Sequence, residues 1–488
     1  MTLWSGQLRS RDNAQGIPEY QTQVEPEQLD ALALGQVLEM SLPGRERPLQ
    51  ARLVSTHNSA GLPVWRGGLV DGDEAESLTV VRGSLETHIN VATLDGSYSI
   101  IVDNRSGKTR VIDENDLAAR SDPHGDHVDA PFAELPPMPP PAQAEALFPR
   151  PFATVPSGRH GLLLSEHRQP MKTSLLCSTL ALAAASAAQA APKTVDIMVL
   201  YTPAATQTVN GRDIDARIAS YIEFANTAYE KSGVDLRLRL VHKQRLDWAD
   251  YPTVTSANLD RLRSDPQVQR LREQYGADLV SLVNLAQSSG NGYTTCGIGY
   301  MGSGEKNSGR FFSNAKDIAY NLTGVDCGLN TFAHEAGHNM GLRHSYEQDQ
   351  ESRYYDPRYA HSGTHEWSRG YGVQGRFATI MAYPHAFGTY RQAPFFANPR
   401  LVNAECAGQP CGREDHADAV RALNSMATQI ADFRPTRVPG TANPGPDDGD
   451  TPTQPELHGA RKPGSAACSA MASSPSWTVG ARCSARPN

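Results

Sequence analysis

The chain has 488 residues, with 45 Lys and Arg against 53 Asp and Glu, a formal net charge of −8 and 7 cysteines. That length exceeds one ordinary compact domain, and a mildly acidic chain with no basic stripe or arginine-rich arm argues against nucleic acid as a partner. The sparse cysteines argue against a disulfide-dense miniature scaffold, and no run is long and apolar enough for stable membrane insertion.

Residues 1–135 read as a β-rich, propeptide-like domain. "SLTVV", "THINVATL", "GSYSIIV" and "KTRVID" are β-branched runs separated by Gly, Asp and Asn turns. A separate binding module is the other reading of this region. No catalytic constellation is legible in it, and His124 and His127 in "PHGDH" read as solvated linker residues rather than metal ligands. Residues 136–170 are proline-dense and form a linker that holds neither a helix nor an inner strand. Residues 171–190 look like an export signal. Lys172 precedes an apolar stretch from Leu175, and Ala188-Gln189-Ala190 is a small-residue cleavage site. The same segment also reads as an apolar Ala-rich helix between domains. The export reading makes the downstream part secreted and extracellular. Cys177, in this apolar run, is a poor setting for a thiolate that would keep a zymogen latent.

Residues 191–435 change to a mixed α/β pattern. "TVDIMVLYTP" reads as a strand running into a proline turn. "DIDARIASYIEFANTAYEKSG" places Ile214, Ile218, Ile222 and Ala225 at helical spacing and ends at Gly233. "VDLRLRLV" alternates as a strand does, "ADLVSLV" is a short apolar strand, and "CGIGYM" suits an edge strand or a turn. Further on, "EDHADAVRALNSMATQIADF" is an amphipathic helix through Val420, Leu423, Ala427 and Ile430.

Between these lies "TFAHEAGHNMGLRHS", residues 331–345. His334 and His338 are four apart, so on a helix both imidazoles project from one face. Asn330 or Thr331 is the expected cap. Gly341 lets the chain leave the helix in a left-handed turn and bring His344 back as a third ligand. Three protein ligands leave the fourth position of a zinc ion open to water, which marks one catalytic Zn2+ rather than a structural one. Glu335 stands beside the ion as the general base for metal-activated water.

The pattern His-Glu-x-x-His-x-x-Gly-x-x-His, followed by Met381 in "FATIMAYPH", resembles the metzincins. The stretches "VDIMVLYTP", "CGIGYM", "TFAHEAGHNMGLRH", "IMAYPH" and "FFANP" make it most like the bacterial peptidyl-Asp metalloendopeptidases, which are reprolysin-like. The resemblance implies an α/β (α+β) catalytic domain with a twisted mixed sheet and a zinc-binding active-site helix, separate from the β-rich N-terminal prodomain-like region. It implies an endopeptidase acting on proteins or peptides on the amino side of aspartate, with the methionine turn supporting the metal site by packing. Tyr383 matches a tyrosine that in some metzincins approaches the zinc or steadies the oxyanion. One departure is Ser345, where many relatives carry an aspartate that anchors the loop; Asp349 is a candidate substitute. Arg391 is a candidate cation for aspartate preference, with a solvated surface arginine as the alternative.

Cys296 with Cys327, and Cys406 with Cys411, are candidate disulfides in an exported protein. His361, His365 and His385 fall in no ligand register. Residues 436–488 read as a disordered Pro/Gly/Ser-rich tail, and its "DDGD" lacks the spacing of a Ca2+ loop, so calcium has no supporting motif. Two competing functions remain at this level: a catalytically inactive zinc-holding binding module, and a zinc amidase acting on cell-wall peptides.

Overall fold

The computed structural model describes residues 1–4, 8–13, 16–122, 125–129, 191–250, 252–290, 292–305, 307–351, 363–402, 406 and 408–439. The linker 136–170, the signal-like segment 171–190, the tail from 440, and His124, His361, Cys177, Cys468 and Cys483 lie outside these residues, as does the side chain of Asp349.

The β-branched runs of the N-terminal region pair into a ten-stranded sheet. It is antiparallel except where Thr2–Trp4 runs parallel to Val37–Met40 at one edge. Strand Leu49–Ser59 shows the expected period of two, with Leu49, Ala51 and Leu53 turned into a core shared with Leu38, Met40, Val80, Val91 and Val102. Three consecutive strands, β1 (Ser77–Arg82), β2 (Glu86–Thr93) and β3 (Gly96–Asp103), are buried along nearly their whole length. One face packs in this core, and the other receives the second half of the chain. A short helix, α1 (Glu114–Ala118), follows the last strand and is capped by the Asp113 side chain.

The second half is a mixed sheet covered on both faces. Its strands are β4 (His127–Asp129), β5 (Lys193–Tyr201), β6 (Leu236–Arg245), β7 (Leu279–Asn284), β8 (Gly297–Met301) and β9 (Tyr320–Gly324), in the order β4-β8-β9-β7-β5-β6. Strand β8 alone runs antiparallel to its neighbour β9, and β4 adds to its open edge in parallel. Along β5 the side chains alternate. Val195, Ile197 and Val199 meet helices α2 (Ile214–Ser232), α3 (Leu329–Asn339) and α5 (Ala419–Ala431). Met198 and Leu200 meet the helices Ser256–Ser264 and Pro266–Tyr275 on the opposite face. Helix α2 ends at Gly233 in the left-handed region (φ 84°), as its sequence predicts. No helix among the described residues is long and apolar enough to cross a membrane.

The β-rich region is more than a neighbour of this domain, because its last residues belong to the other sheet. Beyond α1 the chain crosses over, and β4 becomes a strand of the second domain's sheet. Helix α2 carries the rest of the junction. Its cap Asp213 accepts the Ala216 N–H at 3.2 Å with one oxygen, and the Leu85 and Glu86 N–H groups at 2.6 and 3.1 Å with the other. Glu223, buried in mid-helix, accepts from Arg66 at 2.7 and 3.0 Å and lies 3.2 Å from His57 Nε2. Burial alone would raise its pKa, but Arg66 and His57 outweigh it and hold the carboxyl well below the usual carboxylate range.

Breaking a buried pair by removing one charge typically costs about 3 kcal/mol or more. Glu223→Gln is therefore expected to lower stability in urea unfolding at neutral pH by about 3 kcal/mol. Because the docked carboxyl titrates below its free value, this contribution is present above the ordinary carboxylate pKa and is lost as pH falls below it. The gap between wild type and variant should close in acid; a gap that persists unchanged would contradict the assignment.

Candidate metal centre

Helix α3 begins at Leu329, with Gly328 at the cap position and no side-chain cap of its own. The expectation of an Asn330 or Thr331 cap is therefore corrected. The first N–H of the helix, from Leu329, is taken at 2.8 Å by the carboxylate of Glu114, which comes from α1 of the β-rich domain. At its other end, Asn339 Nδ2 donates to the carbonyls of Tyr300 in β8 and Tyr320 in β9 at 2.8 and 2.9 Å, fixing the helix to the sheet.

One face of α3 presents His334 and His338, with ring centroids 4.7 Å apart. Gly341, at φ 87°, turns the chain out of the helix, and a side chain there would press on Phe311. His344 then returns to within 5.2 and 4.9 Å of the other two rings. The three sequence-predicted histidines thus converge in space, and all are buried. His334 Nδ1 donates to the Ile380 carbonyl at 2.6 Å and His338 Nδ1 to the Leu342 carbonyl at 2.9 Å. With the proton committed to Nδ1, both rings turn their Nε2 lone pairs toward a common point. His338 Nε2 is buried and has no partner within the protein. Met381 is fully buried beneath the helix, its sulfur against Gly337, where a larger residue would collide with it.

Glu335 is 1% exposed, and neither of its carboxylate oxygens has a hydrogen-bond partner. Burial, then the nearby charge of Asp126, pushes its pKa well above the usual range. Gly297 and Gly299 of β8 make room for this carboxylate; a side chain at Gly297 would overlap it. Tyr383 stacks edge-on over His334 and His344, with centroids at 5.5 and 5.4 Å. Its hydroxyl donates to Asp126. Burial raises its pKa, and the charges of Asp126 and Glu335 raise it further.

Asp126 is one of the residues that sequence reasoning missed. It lies just before β4, with Oδ2 at 3.2 Å from His334 Nε2 and 3.1 Å from His344 Nε2. His127 follows, its ring 5.3 Å from that of His338 and 5.0 Å from that of His344. The reading of His127 as a solvated linker residue is therefore overturned, and residues from a region in which no catalytic constellation was legible reach the site. The paired strand β4 delivers this segment to the cleft. Asp126, His127, His338 and His344 each offer a donor atom within 4.8 Å of the others, and Asp126, His334 and Glu335 form an overlapping set. Imidazole nitrogens with a carboxylate oxygen suit a divalent metal ion, and the unpartnered His338 Nε2 and Glu335 carboxylate fit one.

His344 differs from the other two histidines in its support. Its Nδ1 lies 2.9 Å from the side-chain amide of Gln348 on α4 (Tyr346–Glu351), rather than against a backbone carbonyl. Ser345 Oγ accepts the Gln348 N–H at 3.2 Å and so starts α4. Here Gln348 Nε2 donates to His344 Nδ1, which leaves the ring proton on Nε2 toward Asp126; a metal at Nε2 would move that proton to Nδ1, and the Gln348 amide would have to turn its oxygen to accept it. Serine at 345, the departure noted in the sequence, thus serves the start of α4, the helix that carries Gln348 to His344.

Other expectations fall out as follows. Cys296–Cys327 and Cys406–Cys411 are both disulfide-bonded. Arg391 pairs with Asp95 of the β-rich domain and remains partly exposed. His365 stacks on Trp367, with ring centroids 4.0 Å apart.

Residues 215–345 match metallo-peptidase family M12B, reprolysin-like, and residues 1–118 match the BamI lipocalin-like domain. The second half of the chain is therefore similar to the reprolysin-like metallopeptidases. Over 287 residues, 59% of this chain, it is 90% identical to a peptidyl-Asp metalloendopeptidase of Pseudomonas aeruginosa, of which it covers 48%. Over another 143 residues, 29% of this chain, it is 91% identical to a biofilm-associated metzincin protease inhibitor of the same species, of which it covers 65%. A peptidyl-Asp metalloendopeptidase of Xanthomonas campestris pv. campestris is 28% identical over 300 residues, with 58% of this chain and 64% of that protein covered. The chain therefore spans about half of the first relative's length and just under two thirds of the second's.

Gln348→Leu is expected to weaken metal binding about tenfold to hundredfold in chelator competition. Gln348→Glu, which keeps an acceptor at His344 Nδ1, should hold the metal at least as tightly as wild type. Equal affinities for the Leu variant and wild type would remove Gln348 from the support of the site.

Proposed function

We propose that the chain is a zinc-dependent endopeptidase held inactive by its own N-terminal domain. The observation that carries the first part is the convergence of His334, His338 and His344 around a buried Glu335 whose carboxylate has no other partner. His334, His338 and His344 would hold one zinc ion, which would supply a water of lowered pKa and polarise the scissile carbonyl. Glu335, buried beside His334 with no other partner, is placed to take a proton from a water at that position and to return it to the leaving amine. Tyr383, once free of Asp126, can donate its hydroxyl to the carbonyl oxygen of the substrate. Similarity to peptidyl-Asp metalloendopeptidases favours an endopeptidase acting at aspartate over an amidase.

The second part rests on Asp126. Its carboxylate fills the position between His334 and His344 that water and substrate need, and it also occupies the Tyr383 hydroxyl. One carboxylate thus disables two functional groups. The relative of the N-terminal domain carries the name of a metzincin protease inhibitor, which agrees with this reading. We further read the protease domain as exported, on the signal-like composition of 171–190.

Two variants of the whole chain test the proposal. Glu335→Gln should lower peptide hydrolysis by about a thousandfold while zinc stays bound. Asp126→Ala should raise hydrolysis by the full chain at least about tenfold, since a charge-assisted contact at the metal position is worth more than 1.4 kcal/mol. Undiminished turnover in the first would remove Glu335 as the base, and unchanged activity in the second would remove Asp126 as the block.

A further inference from the structure

The segment that reaches the metal centre carries a second donor beside Asp126. Strand β4 lies parallel to the edge strand β8, with His127 opposite Gly299 and Val128 opposite Tyr300. The Gly299 N–H donates to the Asp126 carbonyl at 3.0 Å and holds the segment in register. Successive residues of a strand face opposite sides of a sheet. Val128 packs with Ile298, Tyr300 and Leu322 on the side away from α3. His127 is thereby turned to the side of α3, where Glu335 Oε2 lies 3.2 Å from the point at which a Gly299 side chain would begin.

On that side its ring stands among the imidazoles of the site. The centroid is 5.3 Å from that of His338 and 5.0 Å from that of His344. The three sequence-predicted ligands are separated by 4.7, 5.2 and 4.9 Å. Imidazoles bound to one zinc ion at about 2.1 Å and tetrahedral angles have centroids about 5 Å apart. Aromatic packing alone spans about 4.5–7 Å, so the donor atoms decide between the two. A donor atom of His127 lies within 4.8 Å of one on each of Asp126, His338 and His344. His127 Nδ1 is 3.4 Å from Asp126 Oδ1. Such a carboxylate–histidine pairing orients an imidazole toward a metal through its other nitrogen. In the same cluster His338 Nε2 is buried with no partner in the protein, and an ion shared with His127 supplies one.

Three protein ligands leave a zinc ion open to water, and a fourth closes it. We propose that His127 Nε2 is a ligand of the metal ion in the covered chain, so that the ion is held by both domains and fastens the N-terminal domain to the protease. The inference rests on the reading of His334, His338 and His344 as a zinc site. It adds to the block by Asp126 a tie that is made through the ion itself. The effect is reciprocal: whatever factor His127 adds to the affinity for zinc, bound zinc adds to the docking of the N-terminal domain.

Metal binding by the full chain, rather than activity, is the readout. His127→Ala removes the nitrogen donor, and His127→Phe removes it while keeping a ring. Both are expected to weaken Zn2+ binding at least about tenfold in chelator competition. Both should also change the visible absorption bands of the chain loaded with Co2+, which report the number and kind of ligands. Added Zn2+ should raise the urea midpoint of the wild-type chain further than that of either variant. A residue that only packs against the site would leave the Co2+ bands where they were. Unchanged bands in both variants, whatever the affinity, would overturn the ligand and leave the zinc site standing. Undiminished Zn2+ affinity in His338→Ala would overturn the zinc site itself, and the role of His127 with it.

Discussion

The structure turns on the cost of burying polar groups along a single helix. His334, Glu335, His338 and Asn339 are all almost inaccessible to water on α3, and buried polar atoms need partners. The surroundings supply them selectively. Backbone carbonyls take the outer nitrogens of His334 and His338, a side-chain amide takes that of His344, and two strands take Asn339. What the protein leaves unpaired, His338 Nε2 and the Glu335 carboxylate, is what a metal ion and its water would satisfy. The chemistry proposed for the site is the remainder of this hydrogen-bond accounting.

The same constraint explains why the N-terminal domain fits so closely. It brings carboxylates to places where the second domain offers donors or positive charge with too few acceptors: Asp126 against His344 and Tyr383, Glu114 at the helix start, and Asp95 on Arg391. On α2 the polarity is reversed, with Glu223 reaching out to Arg66 and His57. A contact with opposite charge bias on its two flanks admits one orientation, because a shifted register would bury charges unpaired. The added strand β4 fixes that register further through its backbone pairing with β8.

Much of this was readable from the residues. The histidine triad, Gly341, Met381, the long helix ending at Gly233 and the alternating strands are local patterns, set by chain geometry within a few turns. Three things were not. Asp126 and Glu114 act across more than two hundred residues of sequence, and nothing in their neighbourhoods marks an acid as a partner for a distant helix. "PHGDH" looked solvated because a short polar stretch before a proline-rich segment usually is. Gln348 was not legible either, because Ser345 starts the helix without marking which of its residues reaches His344. The cap on α3 was misread for a related reason: Asn330 and Thr331 have the chemistry of caps, but the acceptor at the helix start comes from the other domain.

The bridge between Cys296 and Cys327 joins the residue before β8 to the residue before the Gly328 cap of α3. It therefore ties the rim on which β4 lies to the foot of the helix that carries the histidines. Departure of the covering segment need not let these two walls drift apart, since a covalent tie, rather than the visitor, sets their spacing. Such a groove keeps its shape when vacant, and a newly arriving peptide meets a mould already cast.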